Sequence, residues 1–278
     1  MAQNMQIISK EVVVDYNGLR IVKLIISAPE ISRKVAAGQF VVVMISEKGE
    51  RIPLTVVEAD SKKEAITLIF QEAGFTTKGL GALKPGDTLF ALVGPLGHAT
   101  RMENYGKVIL AGGGVGIAEI YPVAKSLKQA GNNITVVIGA KTKELLILEK
   151  ELKDIADNIY IVTDDGSTGK RGFTTDIVSE LFKKDKYDLV YAVGPIPMMR
   201  KVAQVCLPFK IKTIVSLNTL MVDATGMCGC CRVTVGGQVK FSCVDGPEFE
   251  ADKVDWEELE ARNSMYQGLE KHICRIKL

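Results

Sequence analysis

The stretch Asp223-Ala-Thr-Gly-Met-Cys-Gly-Cys-Cys231 gathers three of the six cysteines of a 278-residue chain into four positions, with a carboxylate set back from them. Thiolates are soft ligands for iron or zinc. The order D-x4-C-x2-C-x11-C, formed by Asp223, Cys228, Cys231 and Cys243, repeats the C-x4-C-x2-C spacing of an established [2Fe-2S] ligand set with aspartate in the first place. These four residues are the candidate cluster ligands. An all-cysteine set with Cys230 in place of Asp223 is the alternative, and there adjacent Cys230 and Cys231 must aim both sulfurs at one small group. Zinc is a third choice, although zinc sites favour paired C-x2-C knuckles. Cys206 and Cys274 stand alone and read as buried rather than reactive.

A second set of residues suits phosphate and nucleotide chemistry. In AGGGVGIAEIYP, Ala111 to Pro122, glycines 112, 113, 114 and 116 end an apolar run and open a helical one. There the backbone can approach a pyrophosphate and free N–H groups can hold it. The letters miss the usual G-x-G-x-x-G, because Ile117 stands in the third place, so a plain tight turn is the rival reading. Asp164 and Asp165 in TDDGSTGKRG follow a later strand-like run, where a carboxylate would accept from a ribose 2′-hydroxyl and repel a 2′-phosphate. That favours NAD(H) over NADP(H), against a solvated turn. In AVGPIPMMR, Gly194 and Pro195 make another strand-end turn, and Met198 and Met199 read equally as core or as a nicotinamide wall.

Upstream, ERIPLT sets Arg51 and Thr55 four apart around Pro53 and Leu54, with a proline that suits an edge or a break. AGFTTKGL offers Thr77, Lys78 and Gly79 as a further phosphate cradle, and GPLG begins at Gly94. His98 follows it without a nucleophile signature and reads as a surface or capping residue.

The elements that must position these residues change character near residue 100. Before it lie six short β-rich runs, MQIISKEVVV, LRIVKLIISA, QFVVVMIS, IPLTVVEA, AITLIFQ and TLFALVG, separated by turn signals. They predict a six-stranded antiparallel barrel over residues 1–100. From Lys107, strand-like KVILA, ITVVIGA, IYIVTD, DLVYAVG and KTIVS alternate with helical IAEIYPVAKSLKQA, TKELLILEKELKDIA and TTDIVSELFKK. This alternation predicts a doubly wound parallel sheet over 101–220. Residues 221–278 hold the cysteines, a hairpin RVTVGGQVKF and a charged helix whose Trp256, Leu259, Met265, Tyr266 and Leu269 read as packing against the body.

Charge is balanced, 35 basic against 33 acidic residues without a like-charge block, which excludes a nucleic-acid partner as the expectation. No apolar run approaches the roughly 18 residues of a membrane span, and no leader pattern opens the chain. A cytoplasmic protein whose clustered cysteines bind metal is the reading.

The order R-x-P-L-T, G-x-T-x-K-G-L, G-P-L-G, G-G-G-V-G-I-A, G-P-x-P-M-M resembles the ferredoxin-NADP reductase superfamily, in which a flavin-binding barrel precedes a pyridine-nucleotide domain. The cysteine-rich section ending C-V-D-G-P-E-F is similar to the electron-transfer subunits of class B dihydroorotate dehydrogenase and to the small subunits of sulfide dehydrogenase and NADH-dependent reduced ferredoxin:NADP oxidoreductase. The resemblance implies FAD, with Arg51 on its pyrophosphate, Thr55 near its ring, Pro53 and Leu54 on the same strand, and Thr77, Lys78 and Gly79 at a second phosphate turn. It also implies NAD(H) at Gly112, Gly113, Gly114, Gly116, Gly194, Pro195 and Met198, with a departure at Val193, where many relatives carry cysteine. No side chain is then needed as an acid or base, because hydride passes at the flavin. The Asp223 variant and the C-terminal segment favour an electron-bifurcating ferredoxin:NADP oxidoreductase. In that case the partner is a larger, glutamate synthase-like flavin and [4Fe-4S] subunit, and ferredoxin is reached through it. Dihydroorotate dehydrogenase and sulfide dehydrogenase are the alternatives, and a nucleotide-sensing or zinc-stabilised module without turnover is the reading from another class.

Overall fold

In the computed structural model, residues 5–266 and Gly268 are described. Leu269 and Cys274, read above as packing residues, lie outside them.

The six β-rich runs form one antiparallel sheet: β1 (Ile7–Tyr16), β2 (Leu19–Ser27), β3 (Phe40–Met44), β4 (Ile52–Asp60), β5 (Ala65–Gln71) and β6 (Ala91–Leu96), ordered β1-β2-β5-β4-β3-β6. A bridge between Gln6 and Thr88 draws the first and last strands together and closes the barrel. Two short helices, α1 (Pro29–Ser32) and α2 (Phe75–Ala82), fill the connections. Val22, Leu24, Ile26, Val41, Val43 and Leu68 meet inside. Pro53 sits where β4 pairs with β3 alone, since pairing with β5 begins at Val56, so its missing N–H breaks no ladder.

The second sheet is built from β7 (Lys107–Gly113), α3 (Gly116–Gln129), β8 (Asn133–Ala140), α4 (Glu149–Ile155), β9 (Asn158–Thr163), the two-residue β10 (Lys170–Arg171), α5 (Thr174–Lys184), β11 (Leu189–Val193), α6 (Ile196–Cys206) and β12 (Lys212–Ser216). Its order is β10-β9-β8-β7-β11-β12, parallel throughout, with one further, antiparallel strand beyond β12. Strand order reverses between β7 and β11, the place where open α/β sheets take ligands. The run TKELLILEKELKDIA is not one helix as expected, because Leu148 takes a left-handed φ of 54° and breaks it ahead of α4. Helix α6 was not anticipated, although Ile196, Met199, Val202, Ala203 and Cys206 fall on one buried face at helical spacing.

Beyond β12 the chain makes an excursion through the cysteine segment and the hairpin β13 (Arg232–Val235) and β14 (Gln238–Phe241). It returns as β15 (Glu248–Glu250), antiparallel to β12, and ends in α7 (Trp256–Ser264). So the C-terminal section is continuous with the nucleotide sheet. Trp256 and Leu259 pack on the body as expected, but Met265 and Tyr266 are exposed. No helix among the described residues is long and apolar enough to cross a membrane.

Gly116 is where β7 hands over to α3, and a Cβ there would lie 2.7 Å from the Val193 carbonyl oxygen and 3.0 Å from the Gly194 Cα. Both are backbone atoms with no rotamer to yield. Gly116→Ala is expected to cost about 1–3 kcal/mol. The check is a lowered urea midpoint at unchanged slope.

Candidate functional site

The reversal between β7 and β11 opens a cleft of about 920 Å³. Its floor is the glycine turn 113–116 and the Gly194-Pro195 turn, and Leu19, Ile21 and Gln71 of the barrel form a wall. The two turns approach closely, since a Cβ on Gly194 would lie 3.2 Å from the Gly113 Cα. At this opening the N-terminus of α3 has no side-chain cap; the Ile117 and Ala118 N–H groups donate to the Gly114 and Val115 carbonyls, which leaves those of Val115 and Gly116 for a pyrophosphate. Gly112 lies behind the turn, packed on Ile117 and Ile120.

The two acids after β9 separate. Asp164 lines the cleft. The Asp165 carboxylate is used locally, accepting from the Ser167 N–H at 2.9 Å and its hydroxyl at 2.7 Å, which holds its pKa below the ordinary value. The methionines separate as well: Met199 is fully buried in the core, while half-buried Met198 lines the cleft beside Gly113.

Glu119, which sequence reasoning passed over, also lines this cleft from the first turn of α3 and faces the Thr55 hydroxyl on β4. Burial pushes its carboxyl from the ordinary 4.5 up to about 7, and the Thr55 hydrogen bond opposes this only in part. Helix α3 further grips β4 through Tyr121, whose hydroxyl donates to Glu58 at 3.2 Å, and through Lys125, 3.8 Å from the same carboxylate. The contact thereby fixes the barrel strand against the nucleotide sheet. An acid in the first turn of a helix is ordinary, so nothing local in the sequence marks Glu119; its setting against Thr55 does.

On the barrel, Pro53, Leu54 and Thr55 lie half-buried along β4. The turn into α2 places Thr77 and Gly79 half-buried and Lys78 exposed, and Thr76 donates to Glu50 just ahead of β4. Gly94 on β6 lies against Val41 and the Phe40 carbonyl, so its lack of a side chain serves strand packing. Arg51 does not join this group. Its guanidinium Nη1 is 2.5 Å from Asp223 Oδ1 in the cysteine segment.

The cysteine segment wraps with positive φ at Ala224, Gly226 and Gly229. Buried Cys231 and Cys243 have their sulfurs 3.2 Å apart and pack with Phe40 and Val42 of β3. Burial, then the bond to Cys231, pushes the Cys243 thiol up to about 12. Exposed Cys228 receives the Cys230 N–H at 3.5 Å, which lowers its pKa; the Asp223 backbone acts the same way and the Asp223 charge opposes it more weakly. Helix α7 steadies the wrap, with Arg262 donating to the Cys230 carbonyl at 3.0 Å and Asn263 donating to the Asn218 carbonyl at 2.8 Å.

Among the described residues no three ionisable ligand side chains converge as a single metal ion requires. The sulfurs instead fall two and two, Cys231 with Cys243 and Cys228 beside Cys230 and Asp223, which fits a two-iron group in which each iron takes two ligands. The Ser242 hydroxyl, fully buried next to Cys243, finds no acceptor in the protein, as suits a donor to a cluster sulfur.

Residues 218–255 match the family described as the iron-sulfur cluster binding domain of dihydroorotate dehydrogenase B, and residues 110–204 match the oxidoreductase NAD-binding domain. A Thermotoga maritima protein named as a homolog of the dihydroorotate dehydrogenase B (NAD(+)) electron transfer subunit is 51% identical over 88% of this chain and 87% of its own. The subunit from Geobacillus sp. is 34% identical over 84% and 92%. A chain from a structure described for flavin-based electron bifurcation by the NADH-dependent reduced ferredoxin-NADP oxidoreductase superposes with a TM-score of 0.92 at 45% identity, covering 98% of this chain and 97% of that one. An Amycolatopsis cytochrome P450 reductase, 18% identical with a TM-score of 0.63 over 75% of this chain and 66% of its own, shares the fold.

The raised pKa of Glu119 carries a sign. The folded state binds its proton more tightly than the unfolded chain does, so the stability this carboxyl contributes is whole below about 4.5 and is lost as pH rises through about 7. Glu119→Gln cannot ionise. Between about pH 5 and about pH 8 the variant should gain on the parent by about 1–3 kcal/mol, read from paired denaturation curves.

Proposed function

The chain belongs to the family of dihydroorotate dehydrogenase B electron-transfer subunits and their homologues, and from that premise we propose that it moves electrons between NAD(H), FAD and a [2Fe-2S] cluster, to or from a larger catalytic subunit. One observation carries the reading: β4 touches both chemistries, meeting the cysteine segment just before its first residue through Arg51 and the nucleotide helix four residues later through Thr55. A flavin held on this strand has the nucleotide cleft to one side and the cluster segment to the other.

The chain's own work is to bind and orient. Gly113, Gly114 and Gly116 receive the dinucleotide phosphates with Gly112 packed behind them, Asp164 accepts from the ribose, and Gly194, Pro195 and Met198 wall the nicotinamide. Asp165, already bonded to Ser167, is left out of this set. Pro53, Leu54 and Thr55 take the flavin ring, Thr77, Lys78 and Gly79 its phosphates, and Gly94 keeps β6 close to β3 beneath it. Asp223, Cys228, Cys231 and Cys243 hold the cluster. When bound, FAD supplies the exchange between the two-electron chemistry of the nicotinamide and the single-electron chemistry of iron. Alignment of these groups is what the protein contributes to rate.

The larger subunit is, in this proposal, a glutamate synthase-like flavin and [4Fe-4S] protein through which ferredoxin is reached, in a cytoplasmic, electron-bifurcating NADH-dependent ferredoxin:NADP oxidoreductase. The likeness over 98% of the chain to a chain from such an enzyme supports this. Val222, Met227 and Val244 stand exposed around the cysteine segment, an apolar rim suited to a covering subunit. The Geobacillus relative favours a second reading, with dihydroorotate dehydrogenase as the partner.

Anaerobic purification of the tagged chain with identification of the co-eluting subunit decides between the two. The isolated chain is expected to carry FAD that bleaches on adding NADH. Cys231→Ser is expected to remove most of the iron and leave the FAD in place, read by metal analysis and absorbance. Asp164→Ala should weaken NADH binding by about 1–2 kcal/mol, a roughly 5- to 30-fold rise in KM, with bound FAD unchanged.

A further inference from the structure

We infer that Arg51 is a positioning residue of the iron-sulfur segment, holding Asp223 as an anionic ligand whose charge it partly offsets, and is not the residue that grips the FAD pyrophosphate. The inference rests on the reading of Asp223 as a cluster ligand. Three observations carry it.

The first is the pair itself. Arg51 Nη1 lies 2.5 Å from Asp223 Oδ1, and the Asp223 side chain is only 19% exposed, so the two charges meet in a place partly shielded from water. The second is how the carboxylate is shared. Oδ2 accepts from the Thr225 hydroxyl and from the Thr225 N–H at 3.2 Å, so Arg51 and Thr225 hold opposite oxygens and set the plane of the group. A ligand oriented by outer partners in this way keeps its place and basicity at a metal.

The third is direction. Consecutive residues of extended chain point to opposite sides. Immediately ahead of β4, Glu50 receives the hydroxyl of Thr76 in the α2 turn, the side on which the FAD phosphates are proposed to lie, and Arg51 therefore points away from it toward the cysteine segment. That turn has its own cation in Lys78, which has no acidic partner among the described residues. The phosphate charge is thus met without Arg51.

A positive charge beside an anionic ligand offsets the negative charge gained when a cluster is reduced, so removing it disfavours reduction. The experiment is redox titration of the anaerobically purified chain, followed by electron paramagnetic resonance, for the parent, Arg51→Gln and Arg51→Lys, with FAD per polypeptide measured on each. Arg51→Gln is expected to retain its FAD, to shift the cluster midpoint to a more negative potential and to alter the cluster signal. Arg51→Lys should retain FAD with a smaller shift. Loss of FAD from Arg51→Lys or Arg51→Gln, or a midpoint and signal unchanged in Arg51→Gln, overturns the inference. A parent chain without iron would instead overturn the cluster reading on which it stands.

Discussion

One half-buried carboxyl ties the three sections of the chain together. Glu248 on β15 accepts the hydroxyl of Tyr191, on β11 in the middle of the parallel sheet, at 2.6 Å, and that of Thr100, where the barrel has just ended. Burial raises the pKa of both Glu248 and Tyr191, the cost of placing them there, and the shared bonds offset it. A Cβ on Gly38 would lie 2.6 Å from the same carboxylate, so the barrel loop is built down to it. Without this junction the cleft between barrel and sheet and the placement of the cysteine segment against β3 would each have to be fixed separately.

The cysteine segment is an excursion pinned at its neck. Ser216 pairs with Glu248, and the Leu217 N–H donates to the Pro247 carbonyl at 2.9 Å, so the chain leaves and rejoins the sheet at one point. Between these ends the wrap is held from below by Phe40 and Val42 and from the side by α7. Strand pairing and packing thus meet part of the ordering entropy of the loop. The same economy applies at the nucleotide cleft, where Gly113, Gly116 and Gly194 pack backbone against backbone.

Much of this was legible in the sequence, for identifiable reasons. The six barrel strands are short β-rich runs that end in strong turn signals, and the parallel strands are apolar runs alternating with helical ones, so both sheets could be read. Helix α6 escaped because two prolines at its start look like a turn, and β15 because three residues carry no period. Spacing pointed to Asp223 and the cysteines as one group, but it cannot reveal that Arg51, 172 positions away, closes on Asp223. Nor can spacing tell Asp164 from Asp165, or Met198 from Met199, because adjacent residues differ only in which way the fold turns them. Glu119 went unread because its significance lies in a neighbour, Thr55, from a different sheet.

Strand β15 has a further consequence. It covers β12, which would otherwise end the sheet with a row of unpaired N–H and C=O groups. An uncovered strand of this kind recruits strands from other molecules. Because the cover is also the neck of the cysteine excursion, the border of the nucleotide sheet and the placement of the cysteine segment are fixed by the same three residue pairs.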